Sequence, residues 1–249
     1  MKRINNLYHR IINPDNLRLA DQKARKGKTK TREVILHDEN RDANIDALYQ
    51  SLLNKTYRIS GYTAFKIFEP KERIVFRLKS YLDRILQHAV MNILEEYFVA
   101  MFTKDAYNCI KGRGVHSAAK ALRKALQDKQ GTHYCLKLDL SKFYPSVDHA
   151  VLKQLLSRKF KDQDLLWLLE QVIDSAEGLP IGNYISQYFA NFYLTGFDHW
   201  IKEQKKVKYY FRYADDIVIL SNNKTDLHKI LAEIRAYLQQ NLKLTVKGN

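Results

Sequence analysis

The sequence predicts an α+β fold. An apolar and aromatic hairpin with a pair of acids at its tip, a second apolar strand ending in an acid, and several long stretches with helical spacing point to it. In the hairpin, Tyr209-Tyr210-Phe211-Arg212-Tyr213 and Ile217-Val218-Ile219-Leu220 flank Ala214-Asp215-Asp216. Residues of these types suit a pleated, half-buried surface, so both flanks read as antiparallel strands. Two adjacent carboxylates at a buried tip would repel each other and resist desolvation, and a hard divalent cation is the simplest partner that keeps them ionised. The second strand, Tyr134-Cys135-Leu136-Lys137-Leu138-Asp139, delivers another carboxylate. If the strands are neighbours, Asp139 and Asp215 can bracket a pair of metal ions of the kind that assist in-line phosphoryl displacement.

Composition narrows the class. The 249 residues carry 42 Lys and Arg against 27 Asp and Glu, a net charge of +15 that calls for a polyanionic partner or a solvated tail. A hydrophobic share of 45% supports a packed core. Cys109 and Cys135 are the only cysteines and lie far apart in sequence, which argues against a disulfide framework or a zinc site. No apolar run reaches membrane-spanning length, so the expectation is a cytoplasmic protein with no membrane partner.

In chain order, residues 1–22 offer Leu7, Ile11, Ile12, Leu17 and Leu19 for a short docked segment. Residues 23–32 then concentrate six basic side chains, including Arg25 and Lys28, in an arm expected to be mobile and able to grip phosphates. Ile45, Leu48 and Leu52 mark a short amphipathic helix. Residues 63–77 read as a β-hairpin turning at Glu69 to Glu72, studded with Lys66, Lys71, Arg73 and Arg77. A core helix follows from about 80 to 101, with His88 as a structural histidine. The basic glycine turn Lys111-Gly112-Arg113-Gly114 precedes a helix expected to face inward with Val115, Ala118, Ala119, Leu122 and Leu126. Asp148 reads as a first-turn acid that favours the helix dipole. Apolar helices are expected over Leu165–Ile173, from Ile185 to Trp200, and through Leu227, Ile230, Leu231, Ile234 and Leu238. The last residues, from Leu242 on, alternate like a strand.

Three motifs in order carry a resemblance. Tyr213-Ala214-Asp215-Asp216 resembles the Y-x-D-D box of reverse transcriptases, Leu138-Asp139 through Tyr144 their first palm motif, and Gly178-Leu179-Pro180-Ile181-Gly182 through Gln187 their L-P-Q-G block. The resemblance implies a right hand with an N-terminal extension and basic arm (1–32), fingers and the start of the palm (33–132), and a palm (133–249) with a fingers-side helical insertion at about 150–177. Its palm sheet would be antiparallel and helix-backed, truncated before the thumb.

The resemblance also implies roles. Asp139, Asp215 and Asp216 would be catalytic, holding two Mg²⁺ ions (Mn²⁺ as the alternative) with the Leu140 carbonyl. Arg73, with Lys66 or Lys71 as weaker matches, would clamp the triphosphate. Tyr144 would pack under the sugar and exclude ribonucleotides, while Ile181, Gly182 and Gln187 would line the nascent base pair and Lys247 would lie near the phosphates. Lys111, Arg113, Lys28 and Arg25 would contact nucleic acid. The partners implied are template RNA, a primer and dNTPs, with an accessory protein or structured RNA compensating for the missing thumb.

Ile181 in place of glutamine and Gln187 in place of proline are similar to the polymerases of diversity-generating retroelements, which copy RNA with frequent errors at adenines. Protein-primed or untemplated synthesis in phage defence, and a non-catalytic RNA-binding hand, are the competing readings.

Overall fold

The computed structural model describes residues 3–68 and 72–248. Its elements run α1 (Tyr8–Ile12), α2 (Pro14–Ala24), α3 (Arg32–Asp38), α4 (Arg41–Leu53), β1 (Tyr62–Ile67), β2 (Arg73–Leu78), α5 (Tyr81–Met101), α6 (Val115–Ala125), β3 (Tyr134–Asp139), α7 (His149–Lys159), α8 (Gln163–Ile173), α9 (Tyr184–His199), β4 (Tyr209–Tyr213), β5 (Asp216–Ser221) and α10 (Lys224–Leu242). The chain packs as two units. One is Met1–Tyr97 with Lys153–Ser186, the other Phe98–Leu152 with Gln187–Asn249.

In the first unit the N-terminal residues are integral. Leu7, Ile11 and Leu17 are buried, and Asp162 accepts hydrogen bonds from the Leu7 and Tyr8 amides at 2.7 and 2.9 Å while also capping α8. Arg25 is not a free arm residue. Its guanidinium pairs with the fully buried Asp21 at 2.8 Å and with Asp38 at 2.8 Å. Arg41 Nε at 2.7 Å and the Tyr81 hydroxyl at 2.9 Å also donate to Asp21. Burial alone would raise the Asp21 carboxyl; the bonds from Arg25, Tyr81 and Arg41 outweigh it and hold the group below its usual range. Strands β1 and β2 form an antiparallel hairpin from Tyr62 opposite Leu78 to Ile67 opposite Arg73. The turn expected at Glu69 to Glu72 lies mostly outside the described residues.

The second unit is built on a three-stranded antiparallel sheet in the order β3-β5-β4. Alternation gives it two faces. Leu138, Ile217 and Ile219, with Tyr210 and Arg212, make a buried face, and α10 packs against β3 and β5. Asp139, Asp216, Tyr213, Lys137, Val218 and Phe211 share the opposite face. Three expectations need correcting. Helix α6 and its C-cap do not bury Val115 and Leu126, which are 57% and 48% exposed; the helix packs on β4, with Ala125 its one buried residue. The carboxylates at the hairpin tip are not buried either, since the Asp216 side chain is 54% exposed. Among the described residues, the closing ones form no strand: Leu242 ends α10, and those after it contribute one bridge, Val246 opposite Leu140.

Candidate active site

The site lies at one end of the β3-β5-β4 sheet. Asp139, the last residue of β3, stands directly opposite Asp216, the first residue of β5. Opposed residues of an antiparallel pair project from the same face, so these two carboxylates share one surface. Ala214 and Asp215 connect β4 to β5, and Ala214 takes φ +53° to close so short a turn. That left-handed conformation costs a non-glycine residue roughly 1–2 kcal/mol, so the surrounding structure must hold it.

Two ammonium groups attend the acids. Lys247 Nζ lies 3.7 Å from Asp139 Oδ2, and the Lys247 amide donates to the Asp139 carbonyl at 2.8 Å. Lys137, two residues before Asp139 on the same face, places its Nζ 3.8 Å from Asp216 Oδ1. The bridge between Leu140 and Val246 uses hydrogen bonds at Asp139 and Ser141, not at Leu140. Among the described residues, no three His, Cys, Asp or Glu side chains form a ready-made metal cage. The donors present are carboxylates on partly solvated strand ends. Such a set fits Mg²⁺, which is commonly bound by one or two carboxylates plus substrate phosphates and keeps several waters.

Tyr144 opens a short 3₁₀ turn after β3 and packs edge-on against Phe143, centroids 5.6 Å apart. Burial raises its phenol above the ordinary range, with Cys109 and Asp215 adding to the shift. Gln187 accepts from Cys109 Sγ at 3.0 Å. Arg113 donates to the Thr103 carbonyl at 3.0 Å and so holds its own loop, while Lys111 is exposed. Asp148 caps α7 through the Val151 amide at 2.9 Å and pairs with Lys243 at 2.6 Å.

In the first unit, Arg73 is exposed on β2, and Lys66 pairs with Glu72 at 2.6 Å; Lys71 lies outside the described residues. Lys28 and Gly182 line one cavity of about 430 Å³, with Phe76, Arg77, Arg84 and His88. Burial, then Lys23, Arg84 and Lys28, push His88 down to about 4, so it is neutral at pH 7, stacked on Tyr184 at 4.9 Å. Gly182 has φ +103°, and a Cβ there would lie 2.8 Å from Val75 Cγ1 and 3.1 Å from the Phe76 carbonyl. Its immediate structural role is therefore close approach to β2, reinforced by the Phe76 amide donating to the Ile181 carbonyl at 2.8 Å.

Sequence reasoning missed the support beneath the Ala214-Asp215 turn. Arg212, with a fully buried side chain, pairs with the equally buried Asp198 through Nη2–Oδ2 at 2.6 Å and Nε–Oδ1 at 2.8 Å. Its only early signal was a charged residue at a buried-face position of a strand; its partner lies on α9.

An antiparallel sheet presenting acids from two neighbouring strand ends, backed by helices, is the palm of a hand-shaped polymerase. The chain belongs to the reverse transcriptase (RNA-dependent DNA polymerase) family, whose model matches residues 69–249. Protein YkfC of Escherichia coli K12 is 25% identical over 229 residues, covering 73% of this chain and 60% of YkfC. The group II intron-encoded protein LtrA of Lactococcus lactis is 23% identical over 215 residues, covering 80% of this chain and 35% of LtrA. Apo telomerase from Candida tropicalis shares the fold with a TM-score of 0.58 at 13% identity, over 81% of this chain and 48% of that one. The chain thus spans 60% and 35% of the lengths of these two curated relatives. Among the described residues, no helix is long and apolar enough to cross a membrane.

Proposed function

We propose that this chain carries the nucleotidyl-transfer centre of an RNA-templated DNA polymerase. The observation that carries the reading is Asp139 facing Asp216 on one sheet surface with Asp215 in the adjoining turn. Asp139, Asp215 and the Leu140 carbonyl would hold a pair of divalent ions, Mg²⁺ or Mn²⁺, with Asp216 adding negative charge beside them. When bound, such ions activate a primer 3′-hydroxyl and offset charge on departing pyrophosphate. Lys247 would draw the substrate phosphates towards Asp139. The Tyr144 ring would pack beneath the sugar and leave no room for a 2′-hydroxyl. Arg73 presents a planar fork suited to bidentate binding of triphosphate oxygens, with Lys66 and Lys71 adding positive charge. Lys28 and Lys111 would meet the nucleic-acid backbone; Arg25 and Arg113, already engaged, would contribute less.

The template class rests on family membership and on the net charge of +15, which suits a polyanion. Error-prone copying of a retroelement RNA is the finer reading. Ile181 in place of a glutamine removes hydrogen-bonding groups near the nascent base pair, and geometric checking there should loosen. Ile181→Gln should then alter the error spectrum on an adenine-containing RNA; an unaltered spectrum would end that part of the reading. The reading as a whole is tested by supplying purified protein with a defined RNA, an annealed primer, dNTPs and Mg²⁺. Primer-linked DNA complementary to the template is expected. Product whose sequence ignores the template, or that is joined to the protein, would overturn it.

A further inference from the structure

We propose that Arg212 is a positioning residue for the catalytic turn: its guanidinium, held by Asp198 and Asn191, fixes the Ala214 carbonyl and through it the direction of Asp215. The inference rests on the polymerase reading above and adds to it the residues that aim its acids.

The geometry is specific. Arg212 Nη1 donates to the Ala214 carbonyl at 3.0 Å and to Asn191 Oδ1 at 3.1 Å. Ala214 is the residue at φ +53°, and Asp215 follows it immediately. A carbonyl anchored by a buried cation cannot rotate without breaking a charge-assisted hydrogen bond, so the unfavourable backbone angle is held in place. The Arg212 backbone is clamped as well: its amide donates to the Asp105 carbonyl at 2.9 Å, and its own carbonyl accepts from the Tyr107 amide at 2.9 Å. The Tyr210 hydroxyl donates to Asp198 Oδ1 at 2.6 Å, a third hydrogen bond to that carboxylate.

Stability alone does not account for this arrangement. A buried ion pair of matched shape can often be replaced by apolar side chains at little cost or with a gain, because desolvation consumes most of the Coulomb attraction. What apolar side chains cannot supply is the two Nη1 donors, and both are spent next to the site. One reaches the turn. The other reaches Asn191, whose Nδ2 donates to the Asn108 carbonyl at 2.6 Å. Cys109, the next residue, donates through Sγ to Gln187 Oε1 at 3.0 Å. Gln187, Asn191 and Asp198 recur on α9 at helical spacing and so lie along one face. A continuous polar path therefore runs from Gln187, expected beside the nucleotide, to the carbonyl that precedes Asp215.

The test uses the whole chain and three variants. Arg212→Met combined with Asp198→Leu removes both charges together. Arg212→Lys keeps a charge but not the fork. Asn191→Ala leaves the ion pair intact. Thermal melting, primer-extension kinetics and Mn²⁺ binding followed by electron paramagnetic resonance are measured on each. The double variant should keep a cooperative melt near that of the wild type. It should also lose kcat by about 100-fold with the dNTP KM changed by less than about threefold, as expected for misplaced reacting groups, and bind Mn²⁺ about tenfold more weakly. Arg212→Lys should resemble it, and Asn191→Ala should lie between it and the wild type. Wild-type kcat and Mn²⁺ affinity in a folded double variant would overturn the proposal. If the double variant does not fold, the same wild-type values in Asn191→Ala would do so. Should the wild-type chain extend no primer, the polymerase reading fails separately, and the Mn²⁺ comparison still decides the positioning role.

Discussion

Asp139 and Asp216 face each other across the β3-β5 ladder, and each has a lysine ammonium within 4 Å: Lys247 at 3.7 Å and Lys137 at 3.8 Å. Two carboxylates thus stand side by side at the strand ends, each with its own ammonium neighbour. The lysines moderate carboxylate repulsion without sealing the acids from solvent, as their partial exposure shows.

Replacing a proposed metal ligand should be severe. Asp139→Asn and Asp215→Asn should each lower primer extension by more than about 100-fold, since even outer-shell partners of metal ligands cost 10–100-fold. Their melting temperatures should stay close to that of the wild type, because half-exposed carboxylates contribute little to stability. Extension by either variant within about tenfold of the wild type would remove that residue from the catalytic set.

Tyr144 sits partly buried beside Cys109 and Asp215. Tyr144→Ala should open space for a 2′-hydroxyl and raise ribonucleotide incorporation relative to deoxynucleotide by about tenfold or more, the scale on which pocket shape discriminates. Competition between rATP and dATP in single-nucleotide extension measures this. An unchanged ratio would mean that the ring serves packing alone.

Gly182→Ala meets two obstacles, a φ of +103° and a Cβ 2.8 Å from Val75 Cγ1. It should destabilise the protein by roughly 1–3 kcal/mol, seen as a lower melting temperature. A variant melting at the wild-type temperature would show that β2 yields freely.

The Asp148–Lys243 pair predicts a pH effect. Lys243, then the Val151 amide, hold the Asp148 carboxyl below its usual range. A depressed folded-state value means that the pair stabilises the fold above the unfolded carboxyl value, about 4, and that the contribution fades as pH falls through the folded value. Asp148→Asn should therefore melt below the wild type at pH 7, and the two curves should converge below about pH 4. A difference that stays constant at all pH values would show that the ionised carboxylate adds nothing to stability.

Much of this protein is determined by local sequence. The alternation through Tyr209–Tyr213 and Asp216–Ser221 matches β4 and β5, and the spacing of Ile45, Leu48 and Leu52 matches the buried side of α4. Periodicity records which face of an element meets a core, and turn chemistry records where the element stops, so both survive in one dimension. Tertiary structure alone decided the rest. Arg25 reads as a free cation but closes on Asp21 and Asp38; Val115 and Leu126 read as core but face solvent; Arg212 reads only as part of a strand but pairs with Asp198 beneath the Ala214-Asp215 turn. The physical reason is the same each time. A charge's partner, or a helix's neighbour, is fixed by which distant segments pack together, and the desolvation that makes such pairings consequential exists only once they have packed.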